Sequence, residues 1–318
     1  MSRLSIIVPA CGLQEQIDDT LVSVLEHRPD DCEVIVAHAR SYQDPYDLGD
    51  EVRFVCGASN DLTTLFNEGV RHATSDIVHL LEPGTLVTAN WCEAPLEQFD
   101  EDEELICLSP VLLDANTTDT LVAAGVRYQA NGACHRIAER SKLAKLSRVT
   151  VDAPTLHAGF YDRVGFLSLG GFCPVMGNEL ADVDLAARLR LANAKCAVSR
   201  QCHITFAAAR PAYSRLMVRR KEQLFWRYMG SYHASMVAHA SHVLGQIAYS
   251  TLCFRPMSEV TGRLCGWLDS WKDKANRVQL SAAEPAELDN QNSDVLSMED
   301  YRTAPSSGES LRRTGTDG

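Results

Sequence analysis

Two acidic stretches in this chain have residue types and spacing suited to chemistry. In the first, Gly170-Gly171-Phe172 precedes Ala181-Asp182-Val183-Asp184-Leu185. The pattern predicts a helix from about Leu180 to Ala192, with Asp182 at its start. A carboxylate there is held as the anion by unpaired N–H groups of the first turn. It can then accept a proton from an attacking hydroxyl, or it can simply cap the helix. Asp184 is read as fixing the preceding loop. The second stretch is Glu82-Pro83-Gly84-Thr85, which stops the compact apolar run Ile77 to Leu81. In open α/β sheets, ligands bind beyond the carboxyl ends of such strands. Glu82 therefore either meets a ligand or only ends a strand.

The elements needed to position these groups follow in order. Leu4 to Val8 reads as a buried strand, and Leu13, Ile17, Leu21 and Val24 as one helix face. Glu33 to Ala37 is a second strand, giving a β-α-β opening with a right-handed crossover and a parallel pair. Val52 to Val55 is a third strand. Leu62, Leu65, Phe66, Gly69, Val70 and Ala73 share a helix face, and Ile77 to Leu81 suits a strand covered on both sides. Thr88 is placed as the cap of a helix through Phe99, and Asp100 to Glu104 as a solvated loop. Leu105 to Leu113 and Leu121 to Tyr128 follow as strands, and Val149 to Phe160 as extended chain. Gly165 to Gly177 reads as a glycine-punctuated loop, and the later helix carries an apolar face of Leu180, Ala187 and Leu191. Lys195 to Ser199 is a final strand closing near His203. After Pro211 the pattern is helical, with Leu216, Leu224 and Tyr228 on one surface and Arg219, Arg220 and Lys221 on another. Ser231 to Phe254 is read as a helix packed onto the core. From Ala282 an acidic stretch poor in apolar residues predicts a disordered tail.

Asn67-Glu68-Gly69, the apolar strand with its acidic exit, and the Gly-Gly-Phe loop before Asp182-Val183-Asp184 together resemble the inverting, family-two-like nucleotide-sugar glycosyltransferases. The resemblance runs from Leu4 to about His203. It implies the GT-A fold, an α/β architecture with a Rossmann-like, mixed and mostly parallel sheet flanked by helices, here with a C-terminal helical extension. It implies Asp182 as general base and nucleotide-sugar contacts at Pro9, His38, Asn67, Gly69, Glu82 and Asp184. It further implies a divalent Mg or Mn cation at Glu82, with His203 as a second ligand, since hard cations bridge phosphates through oxygen ligands. Three positions depart from the family pattern. Ala39 stands where a carboxylate usually meets the base, Gly84 replaces the second acid of the metal turn, and Ala181 replaces the glutamate before the base. These departures motivate an alternative reading as a catalytically inactive GT-A-fold binding or scaffold protein. His38 can stack on or bond a base, and Asp44 can substitute for the missing carboxylate.

The expected organisation is a transferase-like domain at 1–210, a helical extension at 211–281 and the acidic tail at 282–318. The expected partners are a nucleotide-diphosphate sugar donor and a glycan or lipid-linked acceptor. A net charge of -12 over 318 residues argues against nucleic acid. The 11 cysteines are scattered without metal-ligand spacing, which fits a reduced, cytoplasmic chain. No leader or spanning segment is read, and the Arg215–Lys221 cluster leaves room for peripheral contact at the inner membrane face. Pro9-Ala10-Cys11-Gly12 excludes a dinucleotide fingerprint after the first strand. A P-loop and a Gly-x-Ser-x-Gly elbow are likewise absent from the sequence.

Overall fold

The computed structural model describes residues 3–146, 149–206, 214–228, 233–253 and 256–283. The opening is β1 (Leu4–Ala10), α1 (Gln14–His27), β2 (Cys32–Ala39), β3 (Arg53–Gly57), α2 (Leu62–His72) and β4 (Ile77–Leu81). Then come β5 (Thr85–Leu86), α3 (Glu93–Glu101), β6 (Leu105–Asp114), β7 (Thr117–Ala123), β8 (Val126–Tyr128) and β9 (Cys134–Arg136). The remainder is β10 (Ala158–Asp162), α4 (Arg163–Ser168), α5 (Gly177–Leu191), β11 (Lys195–Phe206), α6 (Arg215–Tyr228), α7 (His233–Leu252) and α8 (Pro256–Ala283).

Among the described residues the main sheet runs β3-β2-β1-β4-β10-β6-β11-β5, with β7 on β6, while β8 and β9 form a separate hairpin. The β1–β2, β1–β4, β2–β3 and β6–β11 pairs are parallel, and β10 lies antiparallel between β4 and β6. Alternation along the strands sends successive residues to opposite faces. Ile6 and Val8 pack with Ile17 and Leu21 of α1 and Leu96 of α3. Ile7 and Ile35 pack on the other face with Phe66 and Val70 of α2 and Leu185 of α5. The architecture is the mixed, mostly parallel, helix-flanked sheet expected.

Several expected boundaries shift for local reasons. Thr88 caps no helix: its carbonyl accepts from Trp91 N in a turn, and α3 starts only at Glu93. That helix also takes in Asp100 and Glu101 from the acidic run. The single strand read at Leu121 to Tyr128 breaks into β7 and β8 at Gly125, whose φ is +127°. The glycine-punctuated stretch contains α4, capped by Asp162 accepting from Gly165 N. The β11 strand extends to Phe206, past a register irregularity between Ser199 and His203. Leu191 is exposed rather than part of a buried face, and Leu216 is exposed where Leu224 is buried.

The C-terminal part is helical, as its pattern predicts. The helix α7 packs on the core along one side, where buried His239 stacks on Phe225 at 3.6 Å and bonds Glu222, while Val237, Leu244, Tyr249 and Leu252 on its other side are exposed. The cations of α6 are tied to neighbouring helices as well as facing solvent: Arg219, which stays exposed, pairs with Asp269 of α8, and Arg220 with Glu179 of α5. Pro211, Ser231, Phe254 and the tail from residue 284 lie outside the described residues. No helix among the described residues is long and apolar enough to cross a membrane.

Candidate functional site

The strands β1, β2 and β4 run parallel, so Pro9, His38 and Glu82 come out at the same edge of the sheet. Pro9 is buried and pairs with Ala37. His38 is half-buried, its Nδ1 2.9 Å from Ala39 O, and it packs against Tyr42 and Phe54 at ring-centroid distances of 5.4 and 5.9 Å. The acidic turn is docked on α1: Gly84, at φ +92°, donates its N–H toward Gln16 O and Thr20 Oγ1. A residue with a Cβ would be strained there, which accounts for the glycine.

Glu82 is tied to a residue the sequence reading missed. Its backbone N–H donates to His157 O at 2.9 Å, and its carboxylate accepts from His157 Nδ1. His157 stacks on Phe206 at 4.4 Å and takes Arg136 Nη1 at 2.9 Å on its other nitrogen. Nothing local marks His157. Its role arises from pairing across 75 positions, which no window of sequence contains.

Asp182 is brought to the same neighbourhood. Its Oδ2 accepts from Leu156 N at 3.3 Å, and Oδ1 lies 2.8 Å from Val183 N. Leu156 and His157 are consecutive, so one short segment touches both Asp182 and Glu82. However, α5 starts at Gly177, three residues before the expected start, so Asp182 lies beyond the first turn and is only 1% exposed. The unpaired N–H groups of the helix end are therefore not what holds it. Asp184 is fully buried. It pairs with Arg188 and Arg227 and accepts from Tyr228 OH at 3.0 Å. Arg188 in turn donates to Leu169 O, so this carboxylate anchors the Gly170-Gly171 loop to α5 and α6.

Asn67 and Gly69 are engaged in packing. Asn67 donates to Phe172 O and accepts from Phe172 N, each at 2.8 Å. A Cβ on Gly69 would meet Ile7 Cγ2 at 2.4 Å, so the glycine lets α2 lie against β1.

The metal expected at Glu82 and His203 does not find its ligands together. His203 faces a surface cleft with Glu97, Gln98 and Arg200, whereas Phe206, which stacks on His157, belongs to the opposite, buried alternation of β11. Glu82 is already bonded, Gly84 offers no side chain, and no cluster of three or more potential ligands occurs among the described residues. The site is nonetheless acidic. Burial, followed by the Glu82 and Asp61 carboxylates, pushes the Cys11 thiol up to about 12.

The family profile described as Glycosyl transferase family 2 matches residues 5–142, which include Pro9, His38, Asn67, Gly69 and Glu82 but stop short of Asp182 and His203. Among curated proteins none matches the sequence significantly. Of solved structures, GalNAc-T7 with UDP, GalNAc and Mn2+ is similar at TM-score 0.53 and 13% identity, over 70% of this chain and 47% of that one. S. aureus TarS 1-349 is similar at TM-score 0.50 and 13% identity, over 71% and 65%, and its UDP-GlcNAc complex at 0.51, over 71% and 66%. This chain thus spans from about half to just under two thirds of those structures. Identities this low carry the fold alone. The chain has the GT-A glycosyltransferase fold, and its residues 5–142 match the family 2 glycosyl transferases.

Proposed function

We propose that this protein transfers a sugar from a nucleotide-diphosphate sugar to a glycan or lipid-linked acceptor by inverting displacement. The observation that carries this reading is the Leu156-His157 segment, which touches Asp182 through its backbone and Glu82 through its side chain. One ligand spanning the β4 exit would thereby meet both carboxylates. The nucleotide lies over the ends of β1 and β2, with His38 and Tyr42 offering aromatic faces to the base. The acceptor oxygen attacks the anomeric carbon as the bond to the diphosphate breaks, and the electron pair leaves with the nucleotide. The hydroxyl proton passes to Asp182, whose carboxylate oxygens each retain a lone pair beyond the N–H they already accept. Asp184, Asn67 and Gly69 serve the site by holding the loop and helix that frame it.

The divalent cation of the resembling family would need Glu82, the residue His157 already occupies, so no step is assigned to a metal. A second reading, nucleotide-sugar binding without transfer, is favoured by one observation, the burial of Asp182. Release of nucleoside diphosphate from a panel of nucleotide sugars, with and without glycan acceptors, separates the two. The transferase reading expects Asp182→Asn to cut turnover by roughly 10²-fold or more while leaving nucleotide affinity in place. Absence of turnover in a wild-type protein that binds the nucleotide would refute transfer.

A further inference from the structure

The contacts of Glu82, His157 and Arg136 fix one protonation pattern. A guanidinium only donates and stays charged in proteins, so His157 Nε2, 2.9 Å from Arg136 Nη1, must be the acceptor. The imidazole proton then sits on Nδ1, facing the Glu82 carboxylate. The ring is clamped by its stack on Phe206. Arg136 sits on β9, whose partner strand β8 is anchored by Val126 N donating to Ala153 O, a few residues before His157. The guanidinium is half-buried. Among the described residues its bond to His157 is the only one it makes, with no carboxylate beside it. Its remaining N–H groups are free to form the planar fork that suits two oxygens of one phosphate.

The same corner is poor in cation ligands and rich in negative charge. Glu82 is bonded to His157, Gly84 gives its N–H to α1, and His203 lies on the other alternation of β11. A diphosphate arriving beside Glu82 and Asp61 requires positive charge, and Arg136 supplies it. We infer that Arg136, oriented by the Glu82–His157 pair, binds the diphosphate of the donor where a divalent cation would otherwise stand, so that donor binding is independent of metal. This rests on the nucleotide-sugar reading above. In it His157 is a positioning residue: it directs Arg136 and gives up no proton. When the anomeric bond breaks, the electron pair remains on the departing phosphate oxygen, and Arg136 stabilises that charge through hydrogen bonds.

The test is calorimetric titration of the full chain with UDP, GDP and dTDP, each in EDTA and in Mn2+, alongside the matching nucleosides. The expected result is a Kd for one diphosphate that agrees within about twofold between EDTA and Mn2+. That diphosphate should bind roughly tenfold or more tightly than its nucleoside, the size of effect given by a charge-assisted hydrogen bond. Arg136→Gln should erase that advantage with nucleoside affinity unchanged, and Arg136→Lys should restore part of it. Binding lost in EDTA and recovered with Mn2+ would overturn the assignment to Arg136 while leaving the nucleotide-sugar reading intact. An Arg136→Gln protein that folds and binds the diphosphate as wild type does would overturn it as well. A folded wild-type chain that binds none of the three would overturn both readings. The EDTA comparison uses the wild-type chain alone, so it can overturn the assignment even where Arg136→Gln does not fold.

Discussion

His79 makes a sharp test of how the strand beneath the acidic turn is built. It lies in β4, fully buried, stacked on Phe160 at 3.6 Å, with Nδ1 3.1 Å from Gly159 O. Nδ1 therefore donates to that carbonyl, and Nε2 has no partner among the described residues. Burial pushes the imidazole down to about 3 from an ordinary 6.5, against a smaller opposing effect of the Gly159 hydrogen bond. The unfolded chain thus binds a proton at this residue over a range in which the folded chain does not. The associated stability is fully present above pH 6.5 and is lost progressively as pH falls towards about 3. Each unit is worth about 1.4 kcal/mol, so lowering the pH from 7 to 5 should remove about 2 kcal/mol through this residue alone. Asn at this position retains a donor for Gly159 O but does not titrate. His79→Asn should accordingly lower stability at pH 7, through the lost stack, and flatten its dependence between pH 7 and 5 relative to wild type. Urea unfolding at the two pH values measures both. Parallel pH dependence in the two proteins would refute the reasoning, because it would mean that His79 takes up its proton in the folded state.

Three further outcomes follow from the packing around the site. Asn67→Ala leaves Phe172 N and O buried without partners, and at about 1–3 kcal/mol for each group it should cost about 2–6 kcal/mol in denaturant unfolding. Unchanged stability with weakened nucleotide binding would instead make Asn67 a ligand contact. Burial alone would raise the Glu222 carboxyl, but His239 and Arg263 hold it below its ordinary 4.5. Its contribution is therefore present above about pH 4.5 and lost as the pH falls through the depressed value. Glu222→Gln leaves Arg263 paired with Glu259 and should cost about 1–3 kcal/mol at pH 7 through the lost charge on its bonds to Arg263 and His239, and the gap from wild type should close in acid; a gap constant with pH would contradict this. Ala at Gly69 should drive a methyl into Ile7 and cost about 1–3 kcal/mol, and thermal melts showing no loss would mean that α2 shifts freely on β1.

The framework was legible wherever a pattern is local. The strand Ile77–Leu81 is read to the residue, because an apolar run ends at Glu82-Pro83-Gly84 and nothing tertiary is needed to place it. The start of α5 was misread because its first turn, Gly177-Asn178-Glu179, is polar and escapes apolar periodicity; that three-residue error put Asp182 at a helix end it does not occupy. Asn67 was visible as a residue type able to bond across elements, yet the partner it uses, Phe172, lies 105 positions away. His157 and Arg136 carried no readable signal. Their significance rests on β10 placing residues 155–158 beside the β4 exit and on a hairpin folding back over them, and both arrangements are set by pairing between distant segments.

The position of β10 also bears on how the chain can be assembled. This strand fills the gap between β4 and β6, yet it is made some eighty residues after one neighbour and fifty after the other. Until residue 162 emerges from the ribosome, β4 has a naked edge of unpaired backbone and β6 cannot join the first half of the sheet. Such an edge is a template for wrong partners, and long-range pairing of this kind is slow to form. A fragment ending at residue 142, where the segment matched by the family profile stops, would therefore hold Pro9, His38 and Glu82 on one piece of sheet, β3-β2-β1-β4, and leave β6 and β7 as a second piece with nothing to join them.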